Sequence, residues 1–198
     1  MTDHLAPPAF DPDAAAAAAA RFAATAPGDL SYALVDSPVG TLVAATTAQG
    51  LACLSYEDHH GGVDAVLETL AARISPRILE APARLDAVRR ELDEYFAHRR
   101  TRFDLPIDWS LVTPFGRRVL QATAAVPFGQ VSTYGRIAAQ AGNPRAARAT
   151  GNALGANPMP IVVPCHRVLH TGGRGIGSYT GGVHRKEALL RLEGVLLG

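Results

Sequence analysis

Three short β-type runs of apolar and small residues, "LSYALVDS", "GTLVAATT" and "GLACLSYE", lie between residues 30 and 57, the third with apolar residues on alternate positions around Cys53. The separators "PVG" and "AQG" have the length of hairpin turns, so the runs predict an antiparallel meander. Cys53 lies in the third run with apolar neighbours, the place of a buried core thiol. The period then changes. "VDAVLETLAARI" and "ARLDAVRRELDEYFAHRR" repeat their apolar residues every three or four positions, which predicts two helices. "FDLPIDWS" reads as an extended linker.

Beyond the linker the pattern is mostly helical. "TPFGRRVLQATAAV" places Thr113 as a cap and Pro114 at the first helical position. "TYGRIAAQAGNPRAARATGNALGANP" predicts two short helices joined at Gly142-Asn143, a helix–turn–helix spacing. Asn143 can cap the second helix, Pro144 suits its first position, and Asn157-Pro158 ends it. That helix carries almost no bulk, with Ala146, Ala147, Ala149, Gly151, Ala153, Gly155 and Ala156 along it. Each glycine costs about 1 kcal/mol relative to alanine in a helix interior. Something must therefore approach its backbone closely, either another helix or a nucleic-acid groove. A minor groove is only about 6 Å wide, which suits small residues around one long Arg148.

The fold class expected is α+β, a small antiparallel-sheet and helix domain over residues 30–108 followed by a mostly helical domain with the helix–turn–helix over 109–198. Residues 1–29 form an N-terminal extension, in which the alanine-rich stretch 13–24 predicts a short helix. Its alanine run is interrupted by Arg21 and is far short of a membrane span. No basic stretch precedes an apolar one at the N-terminus, so no signal peptide is expected, and the reading is a soluble cytoplasmic protein.

Net charge changes the picture only when the chain is divided. The whole carries +1, but residues 1–108 hold nine arginines against sixteen acids, a balance of −7. Residues 109–198 hold nine arginines and Lys186 against Glu187 and Glu193, a balance of +8. Such asymmetry points to a polyanion partner for the basic half, or to two halves that neutralise each other across an internal interface.

The candidate chemistry lies in "IVVPCHRVLH", residues 161–170. Two cysteines in 198 residues are too few for a disulfide scaffold or a Cys-x-x-Cys zinc site. "IVV" followed by Pro164 predicts a buried strand stopped abruptly, leaving Cys165 on a turn that can present it. His166 and Arg167 follow, and charge or hydrogen bonding can pull a thiol below its free pKa of about 8.5. Cys165, His166, His170 and His184 lack any familiar metal-ligand spacing, so no metal is expected. Adjacent residues do not face one another, so a Cys165–His166 pair needs a bridging water. A buried, inert thiol is the plain alternative.

"VPFGQVSTYGRIAAQAGNPRAARATGNALGANPMPIVVPCHRV" and "GSYTGGVHRKEALLRLEG" together resemble the C-terminal domain of the O6-alkylguanine-DNA alkyltransferases, from about Thr113 to Gly194. "SPVGTL", "GLACLSY" and "ELDEYFAHRRTRFDLPID" agree more loosely with that family's N-terminal domain. The resemblance implies binding of double-stranded DNA through the minor groove, flipping of an O6-alkylguanine, and irreversible single-turnover transfer of its alkyl group to Cys165. O4-alkylthymine is the implied second substrate, and no cofactor is needed.

By position, the resemblance makes Cys165 the nucleophile and His166, acting through a water and oriented by Glu193, the base. Asn157 supports the turn. Arg148 fills the gap left by the flipped nucleotide, with Ala147 and Gly151 against the DNA, while Tyr134 presses on the phosphate and the base edge. The backbone at Cys165 and Val168 reads the guanine amino group, and Tyr179 and Thr180 wall the pocket. Arg167 holds the loop. Cooperative association of several copies on DNA is a further expectation. The loop "VLHTGGRGIGSY" is one residue longer than the family pattern and adds Arg174, and Gly116 stands where glutamine is usual. Two other classes compete: a damage-binding module without repair, which the presence of Cys165 disfavours, and a sequence-specific regulator. The regulator is disfavoured by Ala and Gly where base-reading side chains should stand.

Overall fold

A computed structural model describes residues 11–13, 29–59, 61–170 and 176–196. The helix expected over 13–24 lies, but for Asp13, outside the described residues. The three β-type runs form β1 (Leu30–Val35), β2 (Leu42–Thr47) and β3 (Gly50–Tyr56). They pair antiparallel, with Val35 opposite Leu42 and Thr47 opposite Gly50. The register shifts between Ala45 and Thr46, a bulge.

The sheet departs from the expected meander at its far edge. After α1 (Gly62–Arg73) the chain crosses over and lays β4 (Ile78–Glu80) parallel to β1, giving a mixed sheet of order β3-β2-β1-β4. Three residues are too few to show a period of two, which is why the pattern missed this strand. The "FDLPIDWS" segment also differs from a linker. Leu51 N–H donates to the Pro106 carbonyl at 2.8 Å and Asp108 N–H to the Leu51 carbonyl at 2.9 Å, pinning it beside β3. Gly50, at φ +131°, makes this possible, because a Cβ there would collide with the Pro106 carbonyl.

A 3₁₀ turn (Pro82–Leu85) leads into α2 (Asp86–Phe96), whose Val88, Leu92 and Tyr95 face inward. The basic half then contributes α3 (Pro114–Ala124), α4 (Tyr134–Gln140), α5 (Ala147–Gly155) and α6 (Val183–Leu192). A two-residue pairing of β5 (Ser132–Thr133) with β6 (Val168–Leu169) is parallel. One hydrophobic cluster takes Leu42, Leu54, Leu92 and Tyr95 from the first half and Val119, Leu120, Ile137 and Leu189 from the second. The halves thus share a core. A second cluster on the sheet holds Leu30, Ala45, Cys53, Leu70 and Leu111. Burial there pushes the Cys53 thiol up to about 12, so it is an inert core group.

Charge crosses the halves at one described ion pair, Arg185–Asp58 at 2.8 Å. Arg136, Arg145 and Arg148 stand exposed on the α4–α5 face with no carboxylate partner among the described residues. Mutual neutralisation of the halves therefore leaves this face basic.

Helix starts follow side-chain chemistry in one case and not in another. Thr113 caps α3 as expected, its hydroxyl accepting from Gly116 N–H at 3.1 Å, with Pro114 at the first position. Asn143 does not cap α5. Gly142, at φ +84°, closes α4, and Ala146 N–H then donates to the Asn143 carbonyl in a separate turn. The first helical residue is consequently Ala147, and no side chain caps it.

Replacing Thr113 removes a satisfied cap without touching the core. Thr113→Ala should lower stability by about 1 kcal/mol, read as a lower urea midpoint at unchanged m-value.

Candidate active site

The segment from Asn157 to Val168 is buried as expected, but "IVV" is a chain of tight turns and not a strand. Pro158, Pro160 and Pro164 remove three of the N–H groups that a strand ladder would use. Ile161 takes φ +73°, a region that a β-branched residue enters only when its surroundings compel it. The backbone finds local partners instead. Val163 N–H donates to the Met159 carbonyl at 2.9 Å and Cys165 N–H to the Val163 carbonyl at 2.8 Å.

Asn157 stitches this turn together. Its Oδ1 accepts from Met159 N–H at 3.0 Å, and its Nδ2 donates to the Val163 carbonyl at 2.8 Å and to Cys165 Sγ at 3.2 Å. Cys165 opens a 3₁₀ turn, Cys165–Arg167, that sets His166 and Arg167 facing the end of α6. There the fully buried carboxylate of Glu193 collects donors. His166 Nε2 lies 3.0 Å from Oε1. Arg167 donates Nη2 to Oε1 and Nε to Oε2, both at 2.8 Å, and Nη1 to the Val126 carbonyl at 2.6 Å. Tyr95 donates its hydroxyl to Oε1 at 2.7 Å, and Gly129 N–H reaches Oε2 at 3.4 Å.

These contacts decide the protonation states. Burial alone would raise the Glu193 pKa, but hydrogen bonds from His166 and Arg167 outweigh it and hold the carboxyl at about 2. Burial lowers the His166 pKa more than Glu193 raises it, so the imidazole rests neutral at neutral pH. An ionised carboxylate only accepts, so Nε2 carries the imidazole proton and Nδ1 keeps its lone pair. Nδ1 is buried with no partner among the described residues. Burial raises the Cys165 thiol, with the Asn157 hydrogen bond and the Lys186 charge only partly offsetting it. The Cys165 thiol and the His166 imidazole both rest uncharged.

Cys165 sits in a half-open cleft of about 260 Å³ with Tyr134, Gly151, Leu154, Tyr179 and Thr180 in its walls. Tyr179 meets the His166 ring edge-on at 6.3 Å and shares a hydroxyl–hydroxyl hydrogen bond of 3.0 Å with Tyr56. Tyr134 is half-buried and packs its ring on His170 at 5.2 Å. The Thr180 hydroxyl donates to the Gly155 carbonyl at 3.1 Å, tying the loop to the end of α5. Ala147 and Arg148 lie exposed on the first turn of α5. Val168 is apart from the cleft walls, and its carbonyl accepts from Lys186 Nζ at 2.7 Å. Among the described residues no three His, Cys, Asp or Glu gather as a metal site requires.

Residues 30–109 match the family described as 6-O-methylguanine DNA methyltransferase, ribonuclease-like domain, and residues 114–195 match its DNA binding domain. A methylated-DNA–protein-cysteine methyltransferase of Mycobacterium tuberculosis is 38% identical over 167 residues, covering 83% of this chain and 92% of that protein. The chain belongs to this family. The Salmonella typhimurium protein of the same name is 54% identical over 107 residues, which span 54% of this chain and 62% of its own length. The crystal structure of Mycobacterium tuberculosis OGT in complex with DNA superposes with a TM-score of 0.70 at 35% identity, covering 83% of this chain and 93% of that one.

Three side chains of this methyltransferase-family site were not singled out from the sequence. Tyr95 falls on the inward stripe of α2 with Val88 and Leu92, where it reads as packing. Tyr56 likewise reads as the last residue of a largely buried strand. Lys186 did leave a signal, because it shares the buried face of α6 with Leu189 and Leu190. A lysine there is almost never found unpaired. Burial pushes its pKa down to about 8.

Glu193 and His166 act on stability in the same direction. The folded Glu193 pKa lies below its ordinary value of 4.5, so its contribution is complete above 4.5 and is lost as pH falls toward 2. The folded His166 pKa lies below 6.5, so protonation in acid favours the unfolded chain as well. Unfolding free energy should therefore decline from about pH 6 downward. Denaturant titrations at stepped pH check this, and Glu193→Gln should lower stability at neutral pH while flattening the acid slope.

Proposed function

We propose that the protein repairs alkylated DNA by moving the O6-alkyl group of guanine to Cys165, irreversibly and once per molecule. The observation that carries this reading is the Cys165 thiol at the wall of an open cleft, backed by a buried His166 whose bonded Nε2 leaves Nδ1 bare. A thiolate is a soft, strong nucleophile suited to displacement at an unactivated alkyl carbon. The carbon–O6 bond breaks as the carbon–sulfur bond forms. The thiol proton passes through a water to His166 Nδ1; the Tyr134 hydroxyl gives its proton to the leaving guanine and is reprotonated from solvent, to which the imidazolium later returns its own. Burial raises the Tyr134 pKa, which makes the hydroxyl a weaker acid and confines its proton transfer to the moment the guanine anion forms. The product is a thioether, which nothing in the cleft can cleave, and no cofactor takes part. O4-alkylthymine presents the same kind of ether and is the second substrate.

The reactive atom of a paired guanine is hidden in the duplex, so the base must leave the stack. The α4–α5 pair acts as a helix–turn–helix laid in the minor groove. Exposed Arg136, Arg145 and Arg148 and the small side chains of α5 support this assignment, as does the DNA bound to the Mycobacterium tuberculosis relative. Ala147 and Gly151 let the backbone approach, Arg148 fills the vacated stack, and Tyr134 meets the rotated phosphate. The carbonyls of Cys165 and Val168 face the guanine amino group. A carbonyl has two lone pairs, so Val168 can hold both Lys186 and the base. Because the Thr180 hydroxyl is committed to Gly155, Thr180 offers its backbone to O6. Both cysteines are free thiols, which supports a reducing, cytoplasmic setting.

The decisive experiment is intact-mass and peptide mapping after incubation with a duplex containing O6-methylguanine. One methyl group on Cys165 per molecule is the expected result, abolished by Cys165→Ala. A label on Cys53, or continued turnover with excess substrate, would overturn the reading.

Arg148 separates flipping from docking. Alanine has the higher helix propensity, so Arg148→Ala should leave α5 formed. Loss of its compensation for unstacking, a few kcal/mol, should slow transfer from duplex roughly a hundredfold. Free O6-benzylguanine needs no flipping and should react nearly as fast as with the wild type. Equal slowing with both substrates would remove the flipping role.

A further inference from the structure

We propose that Tyr95, delivered from the N-terminal half, is a positioning residue for the alkyl transfer: its hydroxyl fixes the Glu193 carboxylate and restrains that carboxylate's pull on His166. The inference rests on the reading of Cys165 and His166 as nucleophile and base. Tyr95 is completely buried on α2. Its ring is held by Phe96 at 5.2 Å, Phe103 at 5.3 Å and Phe128 at 6.0 Å, which fixes the direction of the hydroxyl. Its hydrogen bond to Glu193 Oε1, at 2.7 Å, is the shortest that this carboxylate receives.

Oε1 is the oxygen that His166 also uses. Three donors converge on it: the Tyr95 hydroxyl, Arg167 Nη2 and His166 Nε2. With Arg167 Nε and Gly129 N–H on Oε2, five donors share about four lone-pair positions. No room remains for a proton on the carboxyl, so His166 must donate through Nε2 and keep Nδ1 for the thiol proton. The other charged or titratable groups around the imidazole are Cys165 and Arg167 on its own turn, Lys186 from α6 and Tyr179 from the preceding loop.

Donors on one oxygen compete for its negative charge. With the Tyr95 hydroxyl gone, the His166 Nε2–H bond to Oε1 tightens and the imidazole becomes more basic. His166 then protonates at a higher pH and stops serving as a base sooner as the solution is acidified. A purely structural Tyr95 would alter stability or the active fraction and leave that pH unchanged.

The test is the rate at which free O6-benzylguanine alkylates Cys165 across about pH 5 to 9. Tyr95→Phe should move the acid limb upward by roughly half a pH unit. Site-specific 3-fluorotyrosine at position 95 keeps the shape but donates more strongly, and should move the limb downward. An unmoved limb in either folded variant overturns the proposal. Should Tyr95→Phe fail to fold, the fluorotyrosine protein alone decides. Wild-type protein that leaves Cys165 unmodified by the free base would overturn the alkyl-transfer reading and this one together, whereas a reactive wild type with an unmoved variant limb removes only the role of Tyr95.

Discussion

A buried carboxylate sets the terms for this molecule. Glu193 has no exposed side-chain surface, and an unpaired charge in that position would cost several kcal/mol. Its compensation comes from separate stretches of chain: Tyr95 on α2, Gly129 before β5, and the His166–Arg167 pair after Cys165. None of these is near Glu193 in sequence. The charge is satisfied only when both halves are docked, so assembly of the shared core and assembly of the candidate site are one event. Arg167 carries the largest part of that compensation, because its planar fork covers both oxygens and its remaining nitrogen holds the Val126 carbonyl.

The opposite side of Cys165 is organised by backbone and by a single amide. Three prolines deny the 158–164 segment a strand ladder, and Asn157 supplies the partners that the turns cannot. The same side chain donates to Cys165 Sγ, so the group that shapes the turn also reaches the thiol. A helix end lies just before this turn, and the small residues of α5 leave the cleft open toward Tyr134 and Thr180. A Cβ at Gly151 would stand 3.8 Å from the Tyr134 ring and one at Gly155 would meet nothing within 4 Å, so open space lies along this wall at both glycines.

Much of this was legible in the sequence, for identifiable reasons. The short apolar runs marked β1 to β3 by their length and the hairpin-sized turns between them, with β2 and β3 buried on both faces, and Thr113-Pro114 marked the start of α3 by cap chemistry alone. β4 was not legible, because a three-residue parallel edge carries no period. "IVV" misled because apolar runs report burial and not conformation, and only the flanking prolines hinted at turns. Asn143 misled because a capping residue type needs the next residue to be helical, and here another turn intervenes. In the site, Asn157 lies against Cys165 Sγ and Glu193 against His166 Nε2, four residues that the family resemblance singled out and that no periodicity marks. Tyr95 and Tyr56 did not announce themselves, since a tyrosine on a buried stripe looks the same whether or not its hydroxyl has a polar target.

The resting charges follow from the same burial. Desolvation pushes the Cys165 thiol up and the His166 imidazole down, so the two approach neutrality from opposite sides. A thiol reacts in proportion to its thiolate fraction, so this pair is sluggish toward stray electrophiles that never enter the cleft. Lys186 supplies the counterweight: its charge favours the thiolate as it forms, while its hydrogen bonds to the Val168 and Ser178 carbonyls hold it in place. The Cys165–His166 pair is thus uncharged at rest, held between the ionised Glu193 carboxylate on the imidazole side and the Lys186 charge, which favours a thiolate, on the sulfur side.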